Sequence, residues 1–159
     1  MQYKAVDSKN RGEVTAFISS RWMTDKMIIR GAVVDMTRVD GIAVYNGTAI
    51  VALITYTING GVCEITSLDS TVEGIGIGTD LIRGVIDTAK SRRCNKVIVV
   101  TTNDNIGAIR FYQKRGFDMA RLYHNALDVS RTLKPEIPFI GEDGIPLRHE
   151  IEFEYDLEN

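Results

Sequence analysis

Across residues 62–92 the chain changes hydrophobic period through a loop built on three glycines, and this junction constrains the fold more than any other stretch. Val62 to Ser67 reads as a strand. It is followed by Leu68-Asp69-Ser70-Thr71-Val72-Glu73-Gly74-Ile75-Gly76-Ile77-Gly78-Thr79, with glycine at alternate positions from 74 to 78. Ile77, Leu81, Ile82, Val85, Ile86 and Ala89 then recur at i, i+4, i+5, i+8, i+9 and i+12. They line one face of a helix that ends near Arg92-Arg93 and must lie on a sheet. A strand that enters a helix over glycines lets a ligand approach the backbone closely. It also leaves the helix's first N–H groups and positive dipole end pointing outward, which favours an anion such as pyrophosphate. Tight strand-to-helix packing is the alternative use of the same glycines. Two familiar phosphate loops are excluded. A P-loop needs Gly-Lys-Ser/Thr where Gly78-Thr79-Asp80 stands. A dinucleotide fingerprint needs glycine where Leu81 stands and an acid where Val97 to Val100 run.

The flanks extend this junction into a layered sheet. Asp7 to Ser20 carries Val14, Phe17 and Ile18 at helical spacing and reads as a first helix. Strands predicted at Asp40–Tyr45 and Thr48–Ile58 are joined by Asn46-Gly47, a signal for a type I′ turn with positive φ at both central residues. Asn59-Gly60-Gly61 marks a second turn, giving an antiparallel meander over 42–68. Lys96–Thr101 holds the run Val97-Ile98-Val99-Val100, which suits a central strand buried on both faces. Ile106–Lys114 reads as a shorter helix stopped by Gly116, and Phe117–Leu122 as a further strand. An excursion over 123–150 then holds all three prolines and a short helix that Asn125 would cap and Pro135 would end. In the final stretch Ile151, Phe153, Tyr155 and Leu157 alternate with Glu150, Glu152, Glu154 and Asp156, a strand with one core face and one acidic solvent face. The order of elements predicts an α/β or α+β sheet mixing parallel and antiparallel pairs.

With 159 residues, 44% of them apolar, the chain is expected to form a single domain over 1–159. Nineteen Lys and Arg against 21 Asp and Glu leave a net charge of −2, without a basic stripe, which argues against nucleic-acid binding. No apolar run is long enough for a signal peptide or a membrane span. Cys63 and Cys94, without Cys-x-x-Cys spacing, read as reduced packing thiols, consistent with a cytoplasmic location. His124 and His149 are too few for a metal site, so no metal is expected, and His149 beside Arg148 reads as a surface pair.

Glu73-x-x-Gly76-x-Gly78, followed by Asn105-x-x-Ala108-x-x-x-Tyr112-x-x-x-Gly116-Phe117, resembles the GNAT-type N-acetyltransferase superfamily in its acetyl-CoA loop and in the segment after its fifth strand. The tail Leu133-Lys134-Pro135-Glu136-Ile137-Pro138-Phe139-Ile140-Gly141 is similar to that of small bacterial acetyltransferases of unassigned substrate. The resemblance implies a mixed, mostly antiparallel sheet of about six or seven strands flanked by helices and splayed at the acetyl-CoA site. It implies acetyl-CoA as co-substrate, cradled by the amides of Gly74, Ile75, Gly76, Ile77, Gly78 and Thr79. Leu68, Asp69 and Ser70 at the strand end would hold the pantetheine and polarise the thioester. Glu73 departs from the family's Gln or Arg, so the backbone rather than this side chain would contact phosphate. Asn105 would hold the pantetheine arm, and Tyr112 would protonate the departing thiolate. For the general base, Glu64 on the strand entering the site leads, with Asp69, His124 and an ordered water as alternatives.

The implied activity is transfer of acetyl to a primary amine of a small molecule or peptide. The rival reading is a non-catalytic acyl-CoA sensor or interaction module, which would need the loop but not both Asn105 and Tyr112. The acceptor pocket would be built from the first helix, the stretch from Trp22 to Arg30 and the excursion, with Trp22 lining the pocket or buried in the core. An exposed edge on the last strand would support a homodimer.

Overall fold

The computed structural model describes residues 1–158. One sheet of seven strands takes the order β1-β4-β5-β6-β7-β9-β8. Its strands are β1 (Gln2–Ala5), β4 (Asp40–Asn46), β5 (Ala49–Asn59), β6 (Val62–Ser70), β7 (Lys96–Thr102), β8 (Asp118–Tyr123) and β9 (Glu150–Asp156). Only β6 and β7 pair in parallel among these neighbours. Outside the sheet stands a separate hairpin, β2 (Lys26–Ile29) with β3 (Ala32–Asp35). The helices are α1 (Arg11–Trp22), α2 (Ile77–Ser91), α3 (Ile106–Lys114) and α4 (Ala126–Leu133). None of these helices is long and apolar enough to cross a membrane.

Period-2 alternation sorts the sheet's side chains onto two cores. Val44, Ala52, Ile54, Val97, Val99 and Phe153 face α2 and α3, and the six α2 positions read from the sequence are all buried there. Ala43, Tyr45 and Leu53 face α1, where Val14 and Ile18 close the second core together with Met36 of the segment after β3. Cys63 and Cys94 are free and buried in the first core, and burial pushes the Cys63 thiol up to about 12, so it packs as a neutral group.

The sheet is split at its middle. Parallel pairing of β6 with β7 runs from Val62↔Lys96 to Ile65↔Val99 and stops, although β6 stays on β5 to Ser70 and β7 stays on β9 to Thr102. Thr66 marks the divergence: Tyr56 faces Ile65 and Thr55 faces Ser67, so Thr66 is an extra residue that bends the strand. The buried Thr55 hydroxyl ties the bulge, lying 2.7 Å from the Thr66 hydroxyl and 2.6 Å from that of Ser67.

Several expectations are corrected. The helix predicted from Asp7 begins at Arg11, because the Asp7 carboxylate accepts from the Lys9 and Asn10 amides and closes a turn first. Asn46 stays in the strand, and within that loop Gly47 alone takes positive φ, so the turn is not type I′; Gly60 and Gly61 take that geometry instead. Asn125 precedes α4 in a left-handed conformation with no side-chain cap. β9 lies between β7 and β8 and offers no edge for a dimer; β1 and β8 are the edges. Its acidic face is exposed only at Asp156. Glu150 and Glu152 are buried beneath the β2–β3 hairpin tip, and Glu154 pairs with Lys96 at 2.8 Å.

Candidate active site

Where the strands part, a cleft of about 470 Å³ opens between the C-terminal end of β6, the glycine loop, the start of α2 and α3. A second cavity of about 140 Å³ fills the split itself, between Ile65–Leu68 of β6 and Val99–Thr101 of β7. Leu68, Ala108 and Tyr112 line both, so the two cavities meet across these side chains and together mark a passage from the glycine loop to Trp22 at the end of α1.

The loop end of this passage suits an anion. Gly76 stands at the N-cap of α2 with φ 81° and brings no capping side chain, so the first-turn N–H groups face the cleft. A Cβ built on Gly74 or Gly76 meets no atom within 4 Å, so both backbones border open space. Glu73 lines the same cleft and is exposed. One cation that the sequence reading passed over also lines it: Arg115, just beyond α3. Its Nε donates to the Thr79 hydroxyl at 3.1 Å, one of its terminal nitrogens donates to the Phe111 carbonyl at 2.9 Å, and its guanidinium lies 3.5 Å from the Phe111 ring centre. The site therefore does not rely on backbone dipoles alone, and an arginine beside the stop glycine of α3 is the signal that could have shown it.

Of the residues proposed for the cofactor, Leu68, Ser70, Glu73, Gly74 and Gly76 to Thr79 border the cleft together with Tyr112, and Asn105 borders the split. Asn105 also caps α3 by accepting from the Ala108 amide at 3.0 Å. The Ile75 side chain is 58% exposed and borders neither cavity. Asp69 points to the opposite face from Leu68 and Ser70, toward α1, where its Oδ2 accepts from the Trp22 indole at 2.6 Å and its Oδ1 lies 3.8 Å from the Arg21 Nε.

Tyr112 sits at the junction of the two cavities, buried in an aromatic cluster with Phe111, Phe117 and Phe153 at ring-centre separations of 5.2, 5.6 and 6.0 Å. Burial raises its pKa well above the usual phenol range, and the Asp69 charge adds to this against a smaller opposing effect of Arg115. The phenol is thus a standing proton donor.

The other base candidates are drawn elsewhere. Glu64 precedes the split, opposite Ile98, and both its oxygens are taken by the Arg30 guanidinium at 2.5 and 2.8 Å. Arg30 and Gly31 form the β2–β3 turn, both at positive φ, and that turn brings the guanidinium onto the sheet. There Arg30 also meets Glu152 at 3.6 Å, and its amide donates to Glu150 at 3.2 Å. His124 stacks on His149 at 4.7 Å between ring centres, and His149 Nδ1 accepts from the Asn125 amide at 2.8 Å, so His149 anchors the excursion rather than pairing with Arg148 at the surface. Among the described residues no three His, Cys, Asp or Glu side chains gather as a metal site.

Comparison with known proteins agrees with this architecture. The acetyltransferase (GNAT) family pattern matches residues 9–117. The Bacillus subtilis (strain 168) protein YdhI, itself uncharacterised, is 45% identical over 141 residues, covering 88% of this chain and 88% of that one. An IAA acetyltransferase from Bacillus cereus ATCC 14579 shares the fold with a TM-score of 0.73 at 20% identity, over 98% of this chain and 99% of that one. A GNAT family acetyltransferase from Elizabethkingia anophelis with acetyl-CoA bound gives 0.69 at 18% identity, over 98% and 97%. The chain belongs to the GNAT family of acetyltransferases.

Proposed function

We propose that this protein is an acetyl-CoA-dependent N-acetyltransferase that transfers acetyl directly to a primary amine of a small molecule or peptide. The observation that carries the reading is the passage through the split sheet, with an anion site at one end and a buried phenol at its middle. The residues fit coenzyme A as the thioester carrier. Gly74 and Gly76 leave room where a Cβ would project, the open turn of α2 and Arg115 suit its phosphates, and the apolar walls at Leu68 and Ala108 suit its pantetheine. When bound, it supplies an activated acetyl carbonyl.

The strand end at Leu68–Ser70 stays on β5 but has no β7 partner, so the backbone groups on its β7 side are left to orient the arm and polarise that carbonyl. Asn105 borders the same arm, and Tyr112 donates its proton to the leaving sulfur. A panel of primary amines screened by thiol release tests the reading: acetyl-CoA with the right amine releases CoA. The Tyr112→Phe variant lowers kcat by about 100-fold or more while keeping the KM for acetyl-CoA near wild type. Binding of acetyl-CoA with no release on any amine points instead to a sensor.

A further inference from the structure

We infer that Asp69, held by Trp22 at the α1 end of the passage, is the group that takes the proton from the acceptor amine. This assignment rests on the acyl-transfer reading above and adds the base that the reading leaves open. A carrier whose phosphates lie on the glycine loop fills the passage from the α2 and α3 side, so an acceptor must reach the thioester from the other mouth. That mouth is bordered by Trp22 and Ser67, and Asp69 follows Ser67 two residues later on the same face of β6. Oδ2 is occupied by the indole at 2.6 Å, while Oδ1 has only the longer approach of Arg21 Nε at 3.8 Å and is the oxygen an ammonium can meet.

The rivals lack this placement. Glu64 stands on the paired part of β6 with both oxygens on Arg30, and His124 is stacked on His149. None of Asp69, Glu64 and His124 lines the two cavities, but Asp69 alone among them is hydrogen-bonded to a residue that does, Trp22. The charged and titratable groups facing Asp69 are Arg21 from α1 and Tyr112 from α3. Burial lifts the Asp69 carboxyl above the usual range, with the indole N–H and Arg21 pulling the other way, which moves it toward the range where a base works near neutral pH. Its charge in turn raises the Tyr112 pKa, as expected of two groups facing one reaction centre.

Protons and bonds balance along this route. Asp69 takes one proton from the entering ammonium, and the freed lone pair forms the C–N bond at the thioester carbon as the C–S bond breaks. The departing thiolate takes the Tyr112 proton. The phenolate regains a proton from the product nitrogen, and Asp69 returns its own to solvent.

Trp22 is the only tryptophan in the chain, so its emission reports on the Asp69 contact without any substrate. A pH titration of wild-type fluorescence is expected to show a step above the ordinary Asp range that Asp69→Asn removes and Glu64→Gln keeps. In rate profiles with the amine found by the panel, Asp69→Asn is expected to lose the acid limb of kcat/KM and about 100-fold of its neutral-pH value. Glu64→Gln keeps that limb at its wild-type midpoint. Trp22→Phe removes the donor that lowers the Asp69 pKa, so its acid limb moves to higher pH; that direction separates a positioning role from a mere packing defect. A fluorescence step that survives Asp69→Asn, or an acid limb that follows Glu64 instead, overturns the assignment alone. Wild type that releases no thiol on any amine overturns the acyl-transfer reading and this assignment together.

Discussion

At the scale of single residues, the cleft depends on a charge that the family-like motif does not supply. Glu73 brings a carboxylate to the rim where a polar or basic side chain would help an anion, and Arg115 faces the same cleft from beyond α3, braced by Thr79 and Phe111. Charge-assisted hydrogen bonds are worth about 1.5–3 kcal/mol. Arg115→Ala is therefore expected to raise the KM for acetyl-CoA about tenfold or more, with little change in kcat and a weaker salt dependence, measured by steady-state thiol release at two ionic strengths. A second residue-scale expectation concerns stability. Burial holds the Glu150 carboxyl above its ordinary range, and the Arg30 amide offsets only part of this. With its folded value raised, Glu150 favours the folded state most below its unfolded value of about 4.3, and that contribution is lost as pH rises through the folded value. Glu150→Gln, which still accepts the Arg30 N–H, is expected to melt a few degrees above wild type at pH 8, with the gap closing toward pH 4. Motif spacing in the sequence names Tyr112 and Asn105, and both border the cavities at the split. Glu150 and Glu152 were misjudged because alternation tells which face a side chain takes and not what covers that face.

At the scale of elements, α2 was read correctly down to its six buried positions because a 3.6-residue period is itself a record of packing. The β2–β3 hairpin was missed. Its strands have four residues each, and its turn is Arg30-Gly31, where an arginine takes the positive φ usually left to Gly or Asn. The left-handed backbone at Arg30 is offset by the ion pair with Glu64, a contact made across 34 positions that no local pattern announces. The N-terminus of α2 is the element whose geometry the function needs most. Gly76→Ala is expected to destabilise the fold by about 1–2 kcal/mol, since alanine at φ 81° is strained although no protein atom lies within 4 Å of its Cβ. Because that Cβ would project into the cleft, the variant is also expected to lose affinity for acetyl-CoA at temperatures where it is fully folded, as calorimetric titration and thermal melting together would show.

At the scale of the whole molecule, one sheet serves two sides. The bulge at Thr66 and the end of β6–β7 pairing after Ile65 and Val99 open a way through it, with α2 and α3 on one face and α1 with the hairpin on the other. Apart from the β2–β3 hairpin the element order was legible, but the strand order was not, because β9 inserts between β7 and β8 by contacts distant in sequence. The net charge of −2 likewise hides an inward division, with Arg30 set against buried carboxylates on one face and Arg115 at the anion end of the passage. The central claim is that the passage joins a CoA thioester to an amine. Its most direct measurement is stoichiometric: incubate the protein with acetyl-CoA and each amine of the panel, then quantify free thiol and acetylated amine in the same sample. One amine yielding both products in equal amounts is the expected result; acetyl-CoA that binds and yields neither, or thiol released without any acetylated amine, would contradict the claim.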